Sequence, residues 1–232
     1  MKKPSLLSLI AAFACVALYA QTPDYRFGKV SAEELRMTSY DKDPDAAAVY
    51  LYEENSLFYQ IDREIGLTSD YRARIKILKS DGTDQANVSI PYTDEYSVRE
   101  SVFGIDAVAY NLVDGKIVKT PLKKQYIFTE QVGENHKLVK FSIPEVREGT
   151  VIEYKFRKTS KNPTYIPSFR FQHDIPVARC HMQALIPEFF KFNLNLKGYV
   201  KVNIEDGSTN GSVGSGSDMI SFNVREIKAD AC

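Results

Sequence analysis

Three kinds of residue grouping in this chain have the right types for chemistry. The first is the adjacent pair Cys180-His181, a thiol beside an imidazole, the components of nucleophilic catalysis. In a strand, however, neighbouring side chains point to opposite faces. Over residues 177–186 this puts Ala178, Cys180, Met182, Ala184 and Ile186 on an apolar face and Arg179, His181 and Gln183 on a polar one. Cys180 is therefore expected in the core, and His181 toward water or a polar neighbour. The other histidines, His136 and His173, are isolated, and three His without local ligand spacing do not make a zinc site.

The second grouping, Asp41-Lys42-Asp43-Pro44-Asp45, has the alternating carboxylates of a calcium loop's opening. Its sixth position is Ala46, where the sharp turn needs Gly, and its twelfth is Tyr52, where a bidentate Glu belongs. It reads as a polar turn with Pro44 fixing φ. The third grouping is the adjacent carboxylates Glu33-Glu34, Glu53-Glu54 and Asp94-Glu95, none of which favours a glycosidase pair. No GxSxG, HExxH or Gly-rich phosphate cradle is present. Tyr50/Tyr52 and Phe169/Phe171 have core-packing spacing, with a sugar or peptide groove as the alternative; the absence of Trp disfavours a carbohydrate platform. No catalytic, cofactor or metal residue is assigned, and no binding residue is singled out.

The elements that must position these residues begin after a leader. Lys2 and Lys3 precede an uncharged apolar run, Leu6 to Ala20, shorter than the ~20 residues that span a bilayer. This is the pattern of a secretory signal peptide over residues 1–20, cleaved near Ala20. Ala12-Phe13-Ala14-Cys15 loosely resembles a lipoprotein signal, but the apolar run continues past Cys15, which favours the soluble product. The expected location is the periplasm or cell envelope. About 210 residues then remain, enough to bury roughly 70% of the unfolded chain's surface in one core. Basic and acidic residues number 30 each, so no global field draws the chain to nucleic acid or anionic lipid. Cys180 and Cys232 are read as unpaired thiols, since a chain of this length does not need a disulfide to fold.

Residues 21–45 read as an N-terminal helix and linker. Ser31 and Glu34 form a capping box that predicts a helix over 31–37. Residues 46–232 read as a β-rich domain, because short Tyr-, Phe-, Val- and Ile-rich runs are broken by Gly, Pro, Asn and Asp. Strands are expected at 46–53 and 57–65 around a turn at Glu54-Asn55-Ser56. Residues 71–77 alternate as a strand with one wet face, and 85–90 should return from a turn at Ser80–Thr83. Asp114-Gly115 joins strands 102–112 and 116–120, and Gly133-Glu134-Asn135 joins 125–132 and 136–143. Further strands are expected at 151–157, 169–186 with a bend at Pro176, 190–196, 199–204 and 219–227. The Gly/Ser-rich stretch 206–218 is expected to be a mobile loop. The fold class is thus mostly β: sandwich-like, packed antiparallel sheets with one short N-terminal helix.

Several segments in order carry a family resemblance: Asp43–Val49, Tyr71–Leu78, Ala109–Lys116, Phe141–Pro144, Glu148–Tyr154, and Phe171-Gln172 before Pro176. Together they resemble the bacterial domain of unknown function found N-terminal to transglutaminase-like cores in secreted proteins. The resemblance implies a non-catalytic module that binds or scaffolds, with an adjacent transglutaminase-like domain or a cell-envelope protein or peptide as partner. The neighbouring core would supply a Cys-His-Asp triad, and no triad residue carries over to this chain. An alternative is the N-terminal part of a transglutaminase-like protease or amidase; a lesser one is a glycan-binding module. No cofactor is implied.

Overall fold

The computed structural model describes residues 24–62, 64–214 and 219–231. The leader, Cys15 and Cys232 lie outside them. The elements are α1 (Ala32–Arg36), β1 (Ala48–Ile61), β2 (Ile65–Ile77), β3 (Asn87–Thr93), β4 (Glu100–Val113), β5 (Lys116–Pro121), β6 (Phe128–Gln131), β7 (His136–Ser142), β8 (Val151–Ser160), β9 (Cys180–Pro187), β10 (Asn203–Val213) and β11 (Ile220–Ala231). Eight strands form one sheet in the order β10-β11-β9-β1-β2-β8-β4-β5, and β3-β7-β6 form a second. The architecture is mostly β, as the residue pattern implies. Among the described strand pairs, β1 with β9 runs parallel and the others antiparallel, and an isolated parallel bridge, Tyr50 with Val177, precedes the β1–β9 ladder. A hairpin cannot join parallel strands, so the chain crosses from β8 to β9 through the irregular residues 161–179.

Both faces of the large sheet are covered. On one, Ala48, Ala73, Ile75, Ile77, Ala109 and Ile152 pack against Ile90, Val139, Phe141 and Ile143 of the small sheet and its flank. On the other, Val49, Leu51, Tyr110 and Val151 pack against Leu35 of α1 and against Val30. A third cluster, Leu57, Leu67, Ala184, Ile186 and Ile227, closes the far end. Helix α1 starts where its capping box places it, with Ser31 as N-cap and both reciprocal bonds formed.

The register departs from simple alternation at one place that matters below. Tyr50 pairs with Ile75, but Tyr52 pairs with Arg74, leaving Leu51 as the extra residue of a bulge. The bulge resets which face each side chain meets. Tyr50 and Glu53, three apart, therefore share the face toward the small sheet, while Tyr52 joins Arg74 on the face toward α1.

Several expected boundaries move. Glu54-Asn55-Ser56 is not a turn: β1 runs through it, because Arg72 bonds Glu54 and the Ser69 hydroxyl donates to Asn55 at 2.6 Å across the strand pair. The chain reverses between Ile61, the end of β1, and Ile65, the start of β2. Ser80–Ala86 form a 3-10 turn that sends β3 to the other sheet instead of back along β2. Gly82 serves close approach there, since a Cβ would lie 2.3 Å from the Ala47 carbonyl oxygen. The hairpin at Asp114-Gly115 forms as read, with both residues at positive φ.

The expected strand over 169–186 begins only at Cys180. Residues 190–196 join no strand of either sheet. The expected loop 206–218 is corrected over its first half: 206–213 belong to β10 and pair along β11. Bidentate Asp206–Arg225 bonds and the packing of Phe222 and Val224 against Gly211 favour the strand. Residues 215–218 lie outside the described residues.

Candidate functional site

Two buried polar clusters sit on opposite faces of the β1–β2–β8 region. The first gathers around Glu53, which is 2% exposed. The Tyr71 hydroxyl donates to Glu53 Oε1 at 2.7 Å. His173 Nε2 lies 2.7 Å from Oε2, and the Cys180 thiol donates to the same oxygen at 3.4 Å. Tyr50 packs at a tilt against the His173 ring, with centroids 4.7 Å apart. Cys180 is the first residue of β9 and reaches Glu53 because the two are register partners in the parallel pair. His173 comes from the irregular approach to β9 and lines an open cleft of about 320 Å³ with Asp43, Phe171, Pro176 and Val177.

A cysteine, a histidine and a carboxylate thus meet, but the carboxylate stands between the other two. Nucleophilic use of a thiol needs the imidazole next to sulfur, with the acid orienting it from behind. Here burial, and then the negative charge of Glu53, push the Cys180 pKa up, so the thiol keeps its proton. Tyr71 is held well above the ordinary phenol range by burial and by the surrounding acid and phenols. The cluster gathers a phenol, an imidazole and a thiol around one buried carboxylate.

His181, on the opposite face from Cys180, bonds Asp230 of β11 at 2.9 Å. His136 lies exposed on β7, remote in register from both clusters. Asp41 to Asp45 form a polar turn, with Lys79 Nζ donating to the Asp45 carbonyl at 2.8 Å. Among the described residues no group of three His, Cys, Asp or Glu side chains could hold a metal ion. Glu33-Glu34 lie in the first turn of α1, and Asp94 bonds Lys137. Phe169 and Phe171 pack edge to face on one another at 5.0 Å.

The second cluster corrects the expectation of a wet face on β2. Arg74 and Lys76 are 1% and 0% exposed, because residues 24–36 lie over them. Arg74 Nε donates to Glu153 Oε1 at 2.8 Å, and Nη1 donates to Glu34 Oε1 at 2.7 Å. The Tyr110 hydroxyl donates to Glu153 Oε2 at 2.8 Å. Lys76 Nζ donates to the Leu35 and Gly149 carbonyls at 2.7 and 2.6 Å. Burial brings its pKa down to about 8, against a smaller opposing pull from Glu34. The role of residues 24–30 as a covering segment is also new, since sequence alone makes them part of a linker. The one available signal was that Arg74 and Lys76 face the same way as Glu153 once β2 and β8 are paired.

Comparison with solved structures gives a likeness of fold. The crystal structure of a "putative protease from Parabacteroides distasonis ATCC 8503" superposes with a TM-score of 0.51 at 13% identity, covering 79% of this chain and 35% of that one. The chain thus spans about a third of that protein's length. An M1 zinc metallopeptidase from Deinococcus radiodurans also aligns, at 9% identity over 80% of this chain and 43% of that one, but its TM-score of 0.31 carries no argument. No curated protein matches the sequence. The family model described as "Domain of Unknown Function with solved-structure structure (DUF3857)" matches residues 66–230, and the chain belongs to that family.

Proposed function

We propose that this chain is an exported, non-catalytic β module that accompanies a transglutaminase-like domain of the cysteine peptidase or amidase type and positions it or a cell-envelope peptide. The observation that carries this reading is the wiring of Cys180. Its thiol is buried, protonated and bonded to a carboxylate instead of an imidazole. The order of segments resembling the domain that precedes transglutaminase-like cores supports the partner. The fold shared with about a third of the longer chain titled "putative protease" is compatible with a module that sits beside another domain.

The catalytic half is tested by assaying purified residues 21–232 on peptide and isopeptide substrates beside a Cys180→Ser variant. The expected result is no turnover by either. Turnover that disappears in the variant would overturn the reading. The partner half is tested by cross-linking in cells and identifying the captured polypeptide by mass spectrometry. A partner with a Cys-His-Asp core is expected, and consistent capture of proteins without one rejects it.

A further inference from the structure

Residues 24–30 are held the way a bound peptide is held. Their carbonyls are captured one by one: Asp24 O by Arg74 Nη1 at 3.1 Å, Arg26 O by Arg74 Nη2 at 3.0 Å, and Gly28 O by Lys119 Nζ at 3.2 Å. The Gly28 N–H donates to Glu153 Oε2 at 2.8 Å. No strand of either sheet pairs with the segment. Two side chains turn inward at alternate positions. Tyr25 stacks on Tyr52 with ring centres 4.4 Å apart, flanked by the guanidinium groups of Arg74 and Arg179 at 5.8 and 5.6 Å. Phe27 lies beneath Lys155 Nζ at 4.8 Å.

The intervening side chains look outward, where Arg26 and Asp24 bond each other. A tight turn, with Lys29 N–H donating to Arg26 O at 3.1 Å, sets Gly28 at φ +87, a conformation that favours glycine. Main-chain capture combined with pockets for alternate side chains is the usual grammar of peptide recognition. The receiving groups are also fixed by one another: Glu153 is bonded to Arg74 and Tyr110, and Arg74 to Glu34 of α1. Past Lys155 the same face continues as an open cleft of about 440 Å³ lined by Glu54, Arg72, Phe103 and Arg157.

We propose that this face is a binding site for short turned peptides of the pattern aromatic-x-aromatic-Gly. It is filled in cis by Tyr25-Arg26-Phe27-Gly28, and the same segment of a second copy of the chain can enter it when the tethered one leaves. The site does not depend on the module's accompanying a transglutaminase-like domain.

The test uses a fluorescein-labelled peptide of residues 24–30 and two chains, unmodified and Tyr25→Ala/Phe27→Ala. The double variant should bind the peptide saturably. The unmodified chain should bind it at least ten-fold more weakly, because its own segment competes at an effective concentration on the order of millimolar. A peptide with Ser in place of Tyr25 and Phe27 should not bind. Equal binding to both chains, no saturable binding to the double variant, or binding of the Ser peptide overturns the proposal. If the double variant does not fold by circular dichroism, the single Tyr25→Ala chain takes its place. Failure of that chain to fold also overturns the proposal, since a ligand-like segment can leave without collapse of its scaffold.

Discussion

Glu53 and Arg74 lie on neighbouring positions of the β1–β2 pair yet face opposite sides of the sheet, and their surroundings differ in kind. Arg74 is balanced by two carboxylates, Glu153 and Glu34, so charge meets charge in a buried site. Glu53 is surrounded by a phenol, a thiol and an imidazole, and among the described residues no guanidinium or ammonium bonds it. By composition the Glu53 cluster looks like the reactive one. By connection it does not, because its acid occupies the place that the imidazole would need. The contrast teaches that the atom between two groups says more about chemistry than their proximity does. The Arg74 cluster instead acts on the chain's own backbone and holds residues 24–36 against the sheet.

Breaking the charged cluster should have the largest effect. Arg74→Met leaves Glu153 buried without its counter-charge and should cost about 3–5 kcal/mol, read from the urea midpoint. A loss below about 1 kcal/mol would mean that the pair is not the clamp described. Lys76 sharpens the comparison through pH. Its folded pKa, about 8, lies below the ordinary lysine value, so the unfolded chain holds the proton more tightly between pH 8 and 10. Stability should therefore rise with pH across that window by as much as about 2 kcal/mol relative to a Lys76→Met variant. A flat difference between the two pH profiles would contradict a buried, charged Lys76.

Glu53→Gln should cost less than Arg74→Met, about 1.5 kcal/mol by thermal or urea unfolding, because the amide oxygen still accepts from one donor. If it cost more than Arg74→Met, the ranking of the two clusters would be reversed. Ser31→Ala should be the mildest, about 1 kcal/mol, since it removes one capping bond from a short helix already held by Leu35. An effect within error would place the helix's stability wholly in its packing.

How much of this is visible in sequence depends on whether local signals decide the outcome. The capping box at Ser31 and the Asp114-Gly115 turn are decided within a few residues, and both form where they are read. The polar run Glu54-Asn55-Ser56 imitates a turn because its partners, Arg72 and Ser69, are visible only once β1 and β2 are in register. The stretch at 206–213 imitates a loop for a similar reason: β11 supplies the edge that makes a Gly- and Ser-rich strand worthwhile. Arg72-Ala73-Arg74-Ile75-Lys76 does alternate, but alternation fixes only sidedness. Whether the charged side is wet depends on residues 24–36, about 40 positions away in sequence. The Glu53 cluster is harder still, since it needs a bulge at Leu51 and a parallel pairing with β9.

The most direct measurement is the alkylation rate of Cys180 at pH 8 in folded residues 21–232, which omit Cys15, with Cys232 replaced by Ser to isolate it. Iodoacetamide should leave the thiol unmodified until urea unfolds the chain, as a buried sulfur that keeps its proton requires. Rapid modification of the folded protein, at the rate of an exposed or activated cysteine, would contradict the assignment of Cys180 to a structural bond with Glu53.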